Sequence, residues 1–404
     1  MRNATLEKPF RTFLLEEGVN ETILQVRALL ETATRPVIIL VAGGSASGKT
    51  NAVAKRIQEA FRGKSLLLSM DNYYHGTAFM EREASRGNPL NFDQPEVVDL
   101  NAVAKDIVAL RNKQPISERI YSFDTGISYT TETLIFPRSV VIIEGLFALH
   151  DEIRINGDLR VFVEIEVHGR LLRRLLRDID SRGNQSPSNI LRYFIETVLP
   201  MHEQYVQPNI GNADIVIKNE YVASVEAGRS GTVKDQTKFR IPSIDSETMR
   251  RAGSEFLGRT EHIDTYLDLP DKHLNDAGES VRIREEGEMI IFGYKGPGIC
   301  SHGLKRSTLE FEIDKETKWL LTNIYPRFVR RISKIRRLYR KGSLVFSLDA
   351  VWGSDGDILL PNLGSFLEIR TDPSNQDDQK HTDELLAFLS LDRKDAILTP
   401  YSEL

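Results

Sequence analysis

Eight consecutive residues, Gly43-Gly44-Ser45-Ala46-Ser47-Gly48-Lys49-Thr50, stand directly after the apolar run VIILVA and before NAVAKRIQEAF. Strand, G-x-x-x-x-G-K-[ST], helix is an arrangement that cradles phosphate: glycine lets backbone N–H groups approach an anion closely, and the helix N-terminus adds a favourable dipole. In that frame Lys49 reaches the β and γ phosphates and Thr50 ligates magnesium. Two carboxylates end other apolar runs, Asp71 after KSLLLSM and Glu144 after SVVII. At the carboxyl ends of strands neighbouring the first, one can take a hydroxyl proton and both can help hold magnesium. The plainer alternative is that each caps the turn that follows its strand.

Arginines recur in GRLLRRLLRDIDSRG, where Arg170, Arg173 or Arg174, and Arg177 share a helix face with leucines between them. Such a face can close over phosphates and offset developing charge, or it can be a solvated basic surface with Arg174 and Asp178 as an i,i+4 pair. Later in the chain, charged residues pair at i and i+2: Arg282 with Arg284, Glu310 with Glu312, Lys334 with Arg336, and Glu368 with Arg370. Period 2 puts each pair on one strand face. That face is either the wet side of an antiparallel sheet or the inside of a barrel holding a polyphosphate and metal. The basic run from Arg327 to Lys341 alternates like a strand and has no matching aromatic platform, which argues against a nucleic-acid stripe.

The elements that must position these groups fall into two textures. From Val37 to Asn219, buried runs of strand length (VIILVAG, KSLLLSMD, SVVIIEG, LRVFVEIEV, ADIVIKN) alternate with helical stretches, which predicts an α/β domain with a parallel sheet over 36–221. Residues 1–35 are expected to form a helical extension, with Ile23, Val26, Leu29 and Leu30 at helical spacing. A polar, glycine-bearing stretch over 222–236 reads as a linker. Residues 237–404 show many short period-2 segments and a closing helix near 376–390, which predicts a mainly antiparallel β domain. With 53 basic and 58 acidic residues in 404, the net charge of −5 argues against nucleic-acid binding by bulk charge. A single cysteine, Cys300, excludes an intrachain disulfide framework, and no apolar run approaches the length of a membrane span. A cytoplasmic protein without a secretion signal is expected.

Residues 36–221 resemble the uridine kinase and phosphoribulokinase family: GGSASGKT, SMDNYY, NFDQPEVVDL, YSFDT, IIEGLFAL, RLLRRLLRDIDSRG and ADIVI occur in the family's order. The resemblance implies a P-loop kinase that uses ATP and Mg²⁺, with Asp71 as general base and Thr50, Asp71 and Glu144 around the metal. It implies further that Asp93 holds ribose hydroxyls, that Tyr121 and Phe123 line the nucleoside pocket, and that Arg170, Arg174 and Arg177 act from a lid. Gly126 stands where pyrimidine nucleoside kinases carry a base-reading histidine, and Ser122 replaces an aspartate.

Residues 237–404 resemble the CYTH fold of the triphosphate tunnel metalloenzymes, through TKFRI, HIDTYLDLPDKHL, ESVRIRE, FGYKGP, LEFEI, KIRRLY, LVFSLDAV, LGSFLEIR and PYSEL. An α+β domain built on an antiparallel β-barrel, the tunnel, is implied. Lys238, Arg282, Arg284, Lys295, Lys334 and Arg336 would bind triphosphate, and Glu310, Glu312, Asp349 and Glu368 would face metal. The family's opening E-x-E-x-K is here Lys234, Gln236 and Lys238, and its late E-x-E is Glu368-Ile369-Arg370. The expected activity is phosphoryl transfer to a hydroxyl of a nucleoside-like acceptor, with the tunnel binding a phosphate-rich anion. The rival readings are a triphosphatase or pyrophosphatase in the tunnel with the first domain as nucleotide sensor, and a non-catalytic tunnel that adjusts the kinase. Expected partners are a nucleotide and a small-molecule or polyphosphate substrate, with no nucleic acid and no membrane; a homo-oligomer is left open.

Overall fold

A computed structural model describes residues 10–181, 186–220, 234–300, 304–355, 358–371, 375–397 and 401, with some side chains inside these spans left out. Arg182 and residues 222–233 of the expected linker lie outside the described residues. The chain forms two compact units: residues up to 174 with 193–221, and 175–192 with 222 onward.

The first unit is built on a six-stranded parallel sheet. Its strands are β1 (Arg11–Leu14), β2 (Val37–Gly43), β3 (Ser65–Ser69), β6 (Val140–Gly145), β7 (Leu159–Glu164) and β8 (Ile215–Lys218), in the order β1-β8-β7-β2-β6-β3. A separate hairpin joins β4 (Ile116–Ser122) and β5 (Ile127–Ile135). Continuous apolar runs suit strands covered on both faces. In β2, Ile38, Leu40 and Ala42 enter one core with the helix Leu100–Arg111, while Val37, Ile39 and Val41 enter another with the helix Leu15–Thr32.

The leading segment is more than the expected helical extension. Residues 11–14 pair in parallel with β8 as an edge strand. Val19 and Val26 of the helix behind it are fully buried in the core, each contributing about 1.5–3 kcal/mol by burial. RTFL is too short to declare itself by periodicity, which is why only the helix was legible.

The second unit is a closed eight-stranded antiparallel barrel. Its strands are β9 (Lys234–Ile241), β10 (Glu255–Asp268), β11 (Ser280–Glu286), β12 (Met289–Cys300), β13 (Leu304–Ile313), β14 (Arg327–Lys341), β15 (Leu344–Asp355) and β16 (Ile358–Thr371). Their order around the barrel is β10-β11-β12-β13-β9-β16-β15-β14. Residues 234–236 open β9 and so belong to the barrel, not to the linker. Period 2 separates two environments. Phe239, Leu367 and Ile369 pack outward against the helix Gln376–Phe388, whereas Lys238, Glu368 and Arg370 alternate with them and face inward. On the same inward face Tyr266, Ile332, Val351, Phe366 and Tyr401 form an apolar cluster beside the charged residues. Among the described residues no helix is long and apolar enough to cross a membrane.

Candidate functional sites: a phosphate loop and a charged barrel

The glycine loop leaves β2 at the carboxyl edge of the sheet and enters the helical segment Lys49–Ala54. Ala46 (φ 62°) and Gly48 (φ 87°) adopt left-handed backbone, which turns successive N–H groups toward one concavity. Gly48 leaves no room for a Cβ beside the Asn219 amide, whose Nδ2 donates to the Ser47 carbonyl at 2.7 Å. A Cβ on Gly44 would come within 2.8 Å of the His202 ring. These glycines are set by packing as well as by the anion they can admit.

Around the loop the expected residues arrive by different routes. Glu144 ends β6, the direct neighbour of β2, and is buried; its carboxylate accepts from Thr50 Oγ1 at 2.9 Å and from Ser69 Oγ at 2.7 Å. Asp71 follows β3, which is separated from β2 by β6, so it does not adjoin the loop strand as Glu144 does. Ser69 makes the link, since its Oγ also accepts from the Asp71 amide at 3.4 Å. Hydroxyl and carboxylate oxygens of this kind are the hard donors that Mg²⁺ takes, and the set fits such an ion.

From the arginine helix Val167–Ser181, Arg174 Nη1 donates to Ser45 Oγ at 3.2 Å and Arg173 Nη1 to the Ser47 carbonyl at 3.3 Å. Arg170 is buried over the Phe194 ring, and among the described residues its Nε and Nη1 have no hydrogen-bond partner. Burial lowers its pKa to about 10 against the pull of Glu203 and Asp93, so it stays charged at neutral pH. Arg177 is exposed and pairs with its neighbour Asp178 at 2.7 Å.

A cavity of about 400 Å³ opens beside the loop, lined in part by Glu164, Arg170, His202, Glu203 and Asn219. His202 went unnoticed in the sequence. Burial first, then the neighbouring Arg170 charge, lowers its pKa to about 3, which keeps the imidazole neutral. Its Nε2 meets Gln207 Oε1 at 2.9 Å.

Asp93 is buried, and with Asp71 and Tyr121 it acts electrostatically on the Tyr74 phenol. Tyr121 and Phe123 meet edge to face at 4.9 Å, and Tyr74, also unnoticed, joins them with Phe92. Gly126 sits at φ 67° with its carbonyl accepting from the Thr77 amide at 2.8 Å, and any Cβ there would overlap the Thr77 side chain. A histidine at that position is strained by both the backbone and Thr77.

In the barrel, Arg282, Arg284, Lys334 and Arg336 converge on carboxylates. The one that matters most, Asp264, was not singled out in the sequence. It is fully buried and receives Arg284 Nε and Nη2 at 2.7 and 2.9 Å, Arg282 Nη1 at 3.4 Å and Lys334 Nζ at 3.5 Å. Burial pushes its carboxyl up, but Arg282, Lys334 and Arg284 overcome this and hold it well below the carboxylate range. Asp349 is gripped by Arg336 at 2.6 and 2.8 Å and accepts from Tyr401 Oη at 3.2 Å. Glu368 takes Arg336 on one oxygen at 3.1 Å and Arg370 on the other at 2.8 Å. Glu310 pairs with Arg282.

Lys295 of β12 feels Glu368 and Arg370 of β16, which stand across the barrel, so the charges share one lumen. Lys238 lies 4.2 Å from the Tyr401 ring centre. Glu312, expected to face metal, is exposed. Among the described residues no three His, Cys, Asp or Glu side chains gather as a metal site. The expected metal set Glu310, Glu312, Asp349 and Glu368 is instead three ion-paired groups and one exposed one. Asp349 and Glu368 do not fit a divalent cation, because both oxygens of each are already given to guanidinium groups.

A parallel sheet carrying a glycine loop, a carboxylate on the neighbouring strand and arginines over the loop define the first domain as a P-loop kinase domain. Residues 38–226 match the phosphoribulokinase / uridine kinase family and residues 237–396 the CYTH domain. The uridine kinase of Anoxybacillus flavithermus is 37% identical over 185 residues, which are 45% of this chain and 86% of that one. That of Deinococcus deserti is 36% identical over 185 residues (45% and 87%), and that of Bacillus pumilus 35% over 213 residues (52% and 96%). The chain belongs to the phosphoribulokinase / uridine kinase family and carries a CYTH domain behind its kinase domain.

Proposed function

We propose that the protein transfers the γ-phosphoryl group of ATP to a hydroxyl of a nucleoside-like acceptor. The observation that carries this reading is the Thr50–Glu144–Ser69 cluster beneath a phosphate loop flanked by the buried, charged Arg170. Lys49 and the loop amides hold the phosphates. Asp71 takes the proton from the acceptor hydroxyl, whose oxygen bonds to the γ phosphorus while the bridging bond to ADP breaks. Arg170 and Arg174 oppose the charge that spreads over the transferred group, and Arg177 joins them from the same helix. Thr50, Asp71 and Glu144 would hold Mg²⁺, which supplies charge neutralisation on the phosphate oxygens. Asp93 takes sugar hydroxyls, and Tyr74, Tyr121 and Phe123 enclose the acceptor. With no side chain at Gly126, the base is read by shape and stacking, so the acceptor range is broader than one pyrimidine.

The barrel serves as a binding site for a phosphate-rich anion through Lys238, Arg282, Arg284, Lys295, Lys334 and Arg336. A phosphorus NMR time course with ATP, magnesium and a nucleoside mixture tests both parts. A nucleoside monophosphate should grow with ADP, and Asp71→Asn should lower the rate by about 10²–10⁴-fold, with Lys49→Ala likewise inactive. Orthophosphate released from inorganic triphosphate or pyrophosphate, surviving Lys49→Ala and lost in Arg282→Ala, would replace this reading with a hydrolytic one.

A further inference from the structure

The CYTH fold implies a divalent cation, and the buried carboxylates of this barrel, Asp264, Asp349 and Glu368, are already ion-paired. Both oxygens of Glu368 are taken by guanidinium groups, Oε1 by Arg370 Nε and Nη2 at 3.0 and 2.8 Å and Oε2 by Arg336 at 3.1 Å. Both oxygens of Asp349 are taken by Arg336, and both of Asp264 by Arg284. A magnesium ion asks for about six oxygens in near-octahedral geometry. Gathering them here would break several buried pairs and bring a dication among cations. Among the described residues of the lumen, the cations Lys238, Arg282, Arg284, Lys295, Lys334, Arg336 and Arg370 outnumber the carboxylates Asp264, Glu310, Asp349 and Glu368.

We infer that the barrel binds a triphosphate group without a divalent cation, with Arg370 supplying from the protein the positive charge that a metal would bring. The inference rests on the anion-binding reading of the barrel. Arg370 is well placed for the role. It follows Glu368 by two residues, shares its inward face, and its side chain keeps about a third of its surface open. It acts electrostatically on Lys295 and Glu310, which places the three charges in one part of the lumen.

The test is calorimetric titration of the full chain with inorganic triphosphate, in a Lys49→Ala background so that the phosphate loop contributes little. One arm contains EDTA and the other millimolar magnesium. Affinity in EDTA should equal or exceed that in magnesium, since magnesium only lowers the charge of the ligand. Arg370→Glu should weaken binding in EDTA by about tenfold or more, the effect of one lost and one reversed charge in a lumen of low dielectric, and magnesium or manganese should then restore part of it. Arg370→Gln should weaken binding in EDTA without any metal response, which separates lost charge from a misfolded barrel. ATP in place of inorganic triphosphate distinguishes a nucleotide from an inorganic source, and binding of either in EDTA supports the inference. Binding that appears only with metal overturns the inference and leaves the anion-binding reading intact. No binding in either arm overturns both.

Discussion

Replacing Lys295 by arginine should flatten the pH dependence of triphosphate binding. Burial, followed by the Arg282 charge, pulls the Lys295 ammonium down to about 7, against the opposing pull of Glu368 and Glu310. A bound polyanion adds negative charge and pushes that value back up, so binding takes up a proton. Below pH 7 the ammonium is already charged and affinity is level. Above pH 7 the anion must recruit the proton, and affinity falls. Between pH 6 and 8 the charged fraction drops from about nine-tenths to about one-tenth, a tenfold loss of affinity or about 1.4 kcal/mol. Arginine stays charged over this range. The ratio of wild-type to Lys295→Arg affinity should therefore fall about tenfold from pH 6 to pH 8, with the ligand's own titration cancelling in the ratio. Calorimetry in two buffers of different ionisation enthalpy reads the proton uptake directly. A ratio that stays constant, with equal proton uptake in the two proteins, would refute the reasoning.

Gly126→His should not create base selectivity. A left-handed backbone and the Thr77 side chain oppose any Cβ there, so thermal unfolding should report a loss of about 1–3 kcal/mol while the ratio of uridine to purine nucleoside turnover stays unchanged. Asp264→Ala leaves Arg282, Arg284 and Lys334 without their shared counter-charge, and denaturant unfolding of the barrel should show a loss of about 3–5 kcal/mol. Gly44→Ala should raise the Michaelis constant for ATP by pressing on His202 and Arg170, and His202→Ala in the same chain should recover part of it. An additive double mutant would place the effect elsewhere.

The parallel sheet was legible because a strand buried on both faces must be apolar throughout, and VIILVAG or SVVIIEG admit few other readings. The phosphate loop was legible because its chemistry is local. What escaped was long-range. Asp264 is one of four acids in β10, and its cationic partners lie on β11 and β14, so nothing near it in the chain marks it as the hub of the lumen. Arg282 and Arg284 fit a wet sheet face and a barrel interior equally, since period 2 separates two faces without saying which one closes on itself. Closure depends on β10 meeting β14 and on β9 meeting both β13 and β16, and pairings of that kind are set in three dimensions. His202 belongs to a helical stretch with no sequence signal for a ring packed under Gly44, and only the fold brings the two together.

The shared hold of Asp264 on three cations also bears on how this barrel can change over generations. Losing the acid alone strands three positive side chains, and losing one base alone leaves the acid with two partners and a gap. Around Asp264 single steps are costly. Its cluster is exchanged most readily in compensated sets, an acid departing with a base, while outward positions such as Leu367 and Ile369 are free to interchange one at a time. Descendants of this chain should therefore differ at the Asp264 cluster by linked doublets and outside the barrel by scattered singles.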